Sequence, residues 1–279
     1  MKVTVITGAA SGIGLALSTI CLQRGSFVIM VDKNHDSLLN KADELKIQFP
    51  NHVLAIPCDV TNSSEVNQLA KKSYNQFGRI DYIYNNAGII GTLSPVWDLT
   101  SEQIHQVMDV NLYGMIHLIR EFTPFLFKQS FRSHIINMAS MYALCSGAQL
   151  ASYSMSKHAV LALSESLHYD LNRLEKPVDV SIVFPSFTDT SLLSYGTESD
   201  FHEALNKLLA HSRSPEDVAT HIVNEVEKKR FYILPDREVK DYCDARTRSI
   251  IMQEQPHINN IEKLMSSLVK RKKKNPAQY

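Results

Sequence analysis

Tyr153 and Lys157 are the residues of this chain whose types and spacing most directly suggest chemistry. A phenol and an ammonium four positions apart on a helix share one face. A free tyrosine titrates near pH ~10, so acid/base work at neutral pH needs its pKa lowered by roughly three units, about 4 kcal/mol. One cation at about 4 Å supplies about that much at an effective dielectric of about 20. The pair is therefore suited to exchanging a proton with an alcohol or carbonyl oxygen. Taken alone, a Tyr-x-x-x-Lys spacing marks a solvated helix face as readily as a reacting one.

A second set lies near the N-terminus. Thr7-Gly8-Ala9-Ala10-Ser11-Gly12-Ile13-Gly14 joins an apolar, β-branched run to a helical pattern. Glycines let such a backbone turn tightly and approach a pyrophosphate, which the following helix N-terminus stabilises. The spacing is G-x-x-x-G-x-G, and a lone glycine pattern is equally an ordinary strand–helix turn. Asp32 gives it context: it ends the second β-like run, 18 residues after Gly14. A carboxylate there accepts both hydroxyls of an adenosine ribose and repels a 2′-phosphate, favouring NAD over NADP. Lys33, next in the chain, works against that preference.

The elements that must position these groups alternate strictly. Strands are expected at Val3–Thr7, Ser26–Val31, His52–Pro57, Ile80–Tyr84, Ser133–Met138, Val178–Phe184 and Phe231–Leu234. Helices are expected at Gly12–Arg24, Asp36–Phe49, Asn62–Phe77, Ser101–Val107, Asn111–Gln129, Ser152–Leu174 and Pro215–Lys229. Such alternation implies right-handed βαβ units: an α/β fold with a doubly wound sheet of about seven parallel strands flanked by helices. Residues 1–235 form one domain in this reading, and 236–279 an extension.

With Asp59-Val60-Thr61, Asn85-Asn86-Ala87-Gly88, Asn111 and Ser140 between them, the glycine loop and the Tyr153/Lys157 pair follow one another in a known order. Over roughly residues 1 to 235 the chain resembles the classical short-chain dehydrogenase/reductase (SDR) family. The resemblance implies a seven-stranded Rossmann-like sheet and hydride transfer at a nicotinamide. It implies Tyr153 as the acid/base and a cofactor contact, Lys157 as the group lowering its pKa and holding the nicotinamide ribose, and Ser140 as a hydrogen-bond partner of the substrate oxygen. Asn111 would support a proton relay through water near Lys157. Gly8, Ser11, Gly12, Ile13 and Gly14 would cradle the pyrophosphate, and Ser11, where NADP-preferring relatives carry a basic residue, agrees with Asp32. Asp59 would meet the adenine amino group with Val60 beside it, and Asn86, Ala87 and Gly88 would line the cofactor. Pro185, Thr188 and Thr190 would reach the nicotinamide. The family's usual Pro-Gly is Pro185-Ser186 here, a departure expected to alter the turn and narrow the pocket.

Met141–Leu144, Gln149–Leu150, Phe187 and the segment from Ser191 to Leu209 are expected to wall the substrate pocket. Leu144, Leu150, Leu192, Leu193, Tyr195 and Phe201 would make it apolar, although a lid sealing the core uses the same residues. The expected substrate is a hydrophobic secondary alcohol or ketone, making the chain a short-chain alcohol dehydrogenase or carbonyl reductase. Two alternatives stay open: an NADPH-dependent reductase of oxoacyl or quinone-like carbonyls, and a low-turnover NAD(H)-binding regulator or scaffold. His202, His211 and His221 share no ligand geometry, so no metal is expected.

Charge and length refine the picture. Twenty-nine Lys and Arg balance 29 Asp and Glu, which argues against nucleic-acid binding. Five of the cations are Lys270 to Lys274, leaving 24 against 29 acids, a net −5, on the remainder. Ile258, Ile261, Leu264, Met265 and Leu268 recur at helical spacing just before them, so an amphipathic helix with a basic tail is expected in the extension. Five cations at about 1 kcal/mol each give only a weak membrane-surface contact. Packing on the domain or on a second subunit of a homodimer or homotetramer is the favoured role. Four scattered cysteines and no signal-like opening place the chain in the cytoplasm, with a peripheral membrane contact as the variant.

Overall fold

In the computed structural model, which describes residues 1–188, 213–259 and 262–263, the chain is built on a seven-stranded sheet of order β3-β2-β1-β4-β5-β6-β7. The strands are β1 Val3–Thr7, β2 Phe27–Asp32, β3 Val53–Pro57, β4 Tyr82–Asn85, β5 Ser133–Met138, β6 Val178–Val183 and β7 Tyr232–Ile233. Every neighbouring pair is parallel. The central strands are short β-branched runs buried on both faces, as a parallel sheet between helical layers requires.

The helices are α1 Gly12–Gln23, α2 His35–Gln48, α3 Ser63–Phe77, α4 Ser101–Met108, α5 Gly114–Leu126, α6 Ala151–Arg173, α7 Pro215–Glu227 and α8 Glu238–Ile251. Side-chain alternation divides them. Val3 and Val5 of β1 face a core shared with α3, α5 and α6, while Ile6 faces one shared with α1, α2 and α7. Local chemistry sets several ends. The Asn62 side chain accepts the Ser64 and Glu65 N–H groups at the start of α3, and Gly78 closes it at φ 66°. Thr100 and Gln103 form a capping box on α4, and Ser214 caps α7 with Pro215 in its first turn.

Four differences from the sequence-based expectation matter. The helix expected from Asn111 is preceded by a five-residue π-helical stretch, Asp109–Tyr113, which continues α4 into α5. β7 shrinks to two residues because it has only β6 as a neighbour. A helix not expected, α8, follows β7, because its register buries Val239 completely while most of its surface is polar. Ile258, expected on a buried helix face, is 59% exposed, and Leu264 to Lys274 lie outside the described residues. No helix among the described residues is long and apolar enough to cross a membrane.

Strand order reverses between β1 and β4, and the loops after the strands converge there. Such a crevice at the carboxyl edge of an open parallel sheet is where ligands bind in this architecture.

Candidate active site

The glycine loop leaves β1 and turns into α1 with Gly8 at φ 64° and Gly12 at φ 51°, both left-handed. A Cβ on Gly14 would lie 2.0 Å from the Gly8 carbonyl oxygen and 2.6 Å from Asn86 Nδ2, so the helix start can approach the loop only as glycine. Thr7 ties this loop to the one after β4. Its hydroxyl oxygen accepts the N–H groups of Asn86 and Ala87, each at 3.0 Å, while Asn86 Nδ2 donates to the Thr7 carbonyl at 2.9 Å. The N-terminus of α1 therefore faces a preformed, backbone-lined cradle, the arrangement that stabilises a phosphate.

Asp32 closes the far end. Its carboxylate accepts the Ala10 N–H at 3.1 Å and the Asn34 N–H at 3.0 Å, which fixes it at the tip of β2. After β3, Asp59 Oδ1 accepts both the Thr61 N–H and its hydroxyl, at 2.9 and 2.8 Å.

The side chains expected to react sit at the other end. Ser140 follows β5 and begins a short turn, its hydroxyl oxygen accepting the Tyr142 N–H at 3.3 Å. Tyr153 and Lys157 lie in the first turns of α6, both buried, with Lys157 Nζ 5.6 Å from the Tyr153 ring centre. Nζ donates to the Met138 carbonyl at 3.0 Å. Asn111, fully buried in the π-helical stretch, accepts the Ile89 N–H at 2.8 Å and donates to the Ile89 carbonyl at 2.9 Å and to Ser156 at 3.0 Å. It thus clamps the loop after β4 to the helix carrying Tyr153. π-Helical turns of this kind often accompany functional positions.

The electrostatics differ from the simple cation–phenol picture. Burial pushes the Tyr153 phenol above its ordinary value, and its hydrogen bond with Ser140 opposes this. Burial also lowers the Lys157 ammonium to about 8. The dry setting that would strengthen the Lys157 field also strips water from the phenolate and from the ammonium itself.

Gly8, Ser11, Gly12, Ile13, Asp32, Asp59 and Val60 line one cleft of about 900 Å³. Asn86, Ala87, Gly88, Ser140, Tyr153, Lys157, Pro185 and Thr188 line the same cleft. Gly14 and Asn111 support it from behind. Thr190 and the wall expected from Ser191 to Leu209 lie outside the described residues. Of the other expected walls, Met141, Tyr142 and Phe187 face the cleft, whereas Leu144 and Leu150 pack against the core. Ser186 has none of the left-handed backbone that demands glycine; its N–H is held by Asp236 Oδ2 at 2.8 Å, so the Pro-Ser turn carries no strain on that account. Ile89 to Thr92, Gln106 and Val110 are among the further residues that line it. Sequence reasoning missed Ile89 to Thr92 because loop residues carry no periodic signal, and missed Gln106 because a polar helix residue reads as a solvated face; Thr7, which ties the two loops together beside the first glycine, could have been found.

A parallel sheet with a glycine loop, Asp32 and a buried Ser–Tyr–Lys group gathered at one switch point is the arrangement of a Rossmann-like oxidoreductase. Residues 2–200 match the short chain dehydrogenase family, and the chain belongs to it. A 1-deoxy-11-beta-hydroxypentalenate dehydrogenase of Streptomyces avermitilis is 36% identical over 245 residues, 88% of this chain and 86% of that protein. A CLA biosynthesis dehydrogenase/reductase of Lactiplantibacillus plantarum is 27% identical over 289 residues, 95% of this chain and 98% of the relative. The crystal structure of a short chain dehydrogenase/reductase from Burkholderia phymatum in complex with NAD matches with a TM-score of 0.83 at 29% identity, covering 92% of this chain and 96% of that one.

Proposed function

We propose that this oxidoreductase uses NAD(H) to interconvert a hydrophobic secondary alcohol and its ketone. The observation that carries the reading is the single cleft running from Asp32 at the tip of β2 to Ser140, Tyr153 and Lys157. The cradle fits a dinucleotide: the left-handed Gly8 and Gly12 and the close approach at Gly14 leave backbone N–H groups at the α1 terminus for a pyrophosphate. Asp32 would take the adenosine ribose, Asp59 and Val60 the adenine, and Lys157 the nicotinamide ribose. When bound, the nicotinamide supplies hydride chemistry that no side chain offers.

The chain's own residues handle the proton. Ser140 hydrogen-bonds the substrate oxygen, and Tyr153 gives that oxygen a proton during ketone reduction or takes one during alcohol oxidation. Burial keeps the phenol protonated at neutral pH, ready to donate. Asn111 holds the Ile89 loop and α6 in register, so that Gly88, Lys157 and Tyr153 keep their places. The apolar side of the pocket, from Met141, Tyr142 and Phe187, excludes water and favours an apolar substrate. The Streptomyces relative, named for a hydroxyl-bearing substrate, and the NAD in the Burkholderia structure support the reading.

Lys33 lines the same cleft, and that observation favours an NADPH-linked carbonyl reductase as the second reading. A panel of secondary alcohols and ketones assayed with NAD(H) and NADP(H) separates the two. Turnover with NADP(H) alone overturns the cofactor assignment, and no turnover of any member overturns the substrate class.

A further inference from the structure

The chain beyond β7 returns to the reacting end of the cleft. Val239 of α8 is fully buried in the same core as Tyr142, Cys145 and Tyr153, with Tyr242 packed against it. Past α8, Asn259 is only 4% exposed. Its Oδ1 accepts the Glu262 N–H at 2.9 Å, and its carbonyl accepts the Lys263 N–H at 3.0 Å, a capped turn that fixes where Glu262 stands. Glu262 Oε1 then accepts the Ala148 N–H at 2.8 Å.

Ala148 belongs to the loop that joins Ser140 to Tyr153. Next to it, a Cβ on Gly147 would meet Glu262 Oε1 at 2.9 Å, the Tyr142 ring at 3.1 Å and the Leu150 side chain at 3.2 Å. The carboxylate of the extension and the ring of a pocket wall therefore both border the space that a side chain at Gly147 would need. Tyr142 in turn stands edge-on to Tyr153 and to Phe187, with ring centres 6.1 and 6.4 Å apart. Gln149 takes a left-handed backbone at φ 63°, which a non-glycine residue adopts only when its surroundings hold it there.

We propose that Glu262 is a positioning residue, and that through its hold on the Gly147–Ala148 loop the C-terminal extension sets the shape of the substrate pocket behind Tyr142. The inference rests on the reading that this cleft takes a hydrophobic alcohol, and it assigns to the extension the choice of how bulky that alcohol can be. Small substrates that do not reach Tyr142 are indifferent to the contact. Bulky ones depend on it.

The test uses full-length protein with Glu262→Ala, Glu262→Gln and Gly147→Ala, read by amide hydrogen exchange over residues 144–150 and by kinetics on menthol and isopropanol. Glu262→Ala should speed exchange at Ala148 about tenfold, because the amide loses its acceptor. It should raise KM for menthol about fivefold, about 1 kcal/mol, with kcat, isopropanol kinetics and NADH binding unchanged. Gln keeps an acceptor oxygen and should restore both readouts, whereas Gly147→Ala should mimic Glu262→Ala. Unchanged exchange at Ala148 overturns the proposal. So does a loss shared equally by both alcohols, or one that Gln fails to rescue. If the wild type turns over neither alcohol, the substrate reading fails, and exchange at Ala148 still decides whether Glu262 holds the loop.

Discussion

Lys157→Met should make the protein more stable and less active, and the size of the gain follows from the site. Lys157 is 4% exposed, its ammonium is bonded to the Met138 carbonyl, and burial lowers its pKa from 10.5 to about 8. A shift of about 2.5 units at about 1.4 kcal/mol each is a cost of about 3 kcal/mol for holding the charge at pH ~7. Methionine fills a similar volume without charge, but leaves the Met138 carbonyl short of a partner at about 1 kcal/mol. The net gain is about 2 kcal/mol, or about 4–8 °C in Tm for a chain of this size. Its pH dependence gives the reasoning away. Below pH ~8 both folded and unfolded lysine are protonated and the cost is complete. Between pH ~8 and ~10.5 only the unfolded state holds the proton, so wild-type stability gains on the variant and the difference fades. Denaturant unfolding of both proteins across that range measures it. A variant less stable than wild type at pH ~7, or a difference that stays constant with pH, refutes the assignment of a costly buried ammonium.

Asp32→Ala should reduce the ratio of NAD to NADP efficiency about tenfold or more, by removing repulsion of a 2′-phosphate; an unchanged ratio in steady-state kinetics contradicts the role given to Asp32. Gly14→Ala should cost about 3 kcal/mol and weaken dinucleotide binding, because its Cβ meets the Gly8 carbonyl oxygen at 2.0 Å; calorimetry showing native stability and affinity would falsify the close approach. Since burial raises the Tyr153 pKa, alcohol oxidation should still be climbing at about pH 9, whereas ketone reduction should hold its rate there. Initial rates in both directions check this, and an oxidation rate flat across the alkaline range contradicts it.

The fold was legible because each strand of a parallel sheet is a short apolar run and each crossover helix announces its caps. Val3–Thr7 and Ser133–Met138 match residue for residue, and Asn62, Gly78 and Ser214, residue types that favour helix ends, act as caps. In the candidate site, positions whose residue type chemistry dictates, such as Gly8, Asp32 and Tyr153, meet in one cleft as the sequence suggested. What escaped was set by tertiary contact. The π-helical stretch exists around Asn111 and its bonds to Ile89 and Ser156, partners 22 and 45 residues away in sequence. α8 reads as a polar segment because it commits little beyond Val239 to the core. The Glu262–Ala148 contact spans 114 residues, with no local pattern to announce it.

The most direct test of the account compares Tyr153→Phe with the wild type for NADH-linked turnover, with NADH binding followed by fluorescence. Removing the one hydroxyl that exchanges a proton with substrate should lower kcat about a hundredfold or more. NADH affinity should stay within about twofold, since the glycine loop, Asp32 and Lys157 remain to hold the dinucleotide. Turnover that survives the loss of that hydroxyl would contradict the central claim that Tyr153 is the acid and base of this cleft.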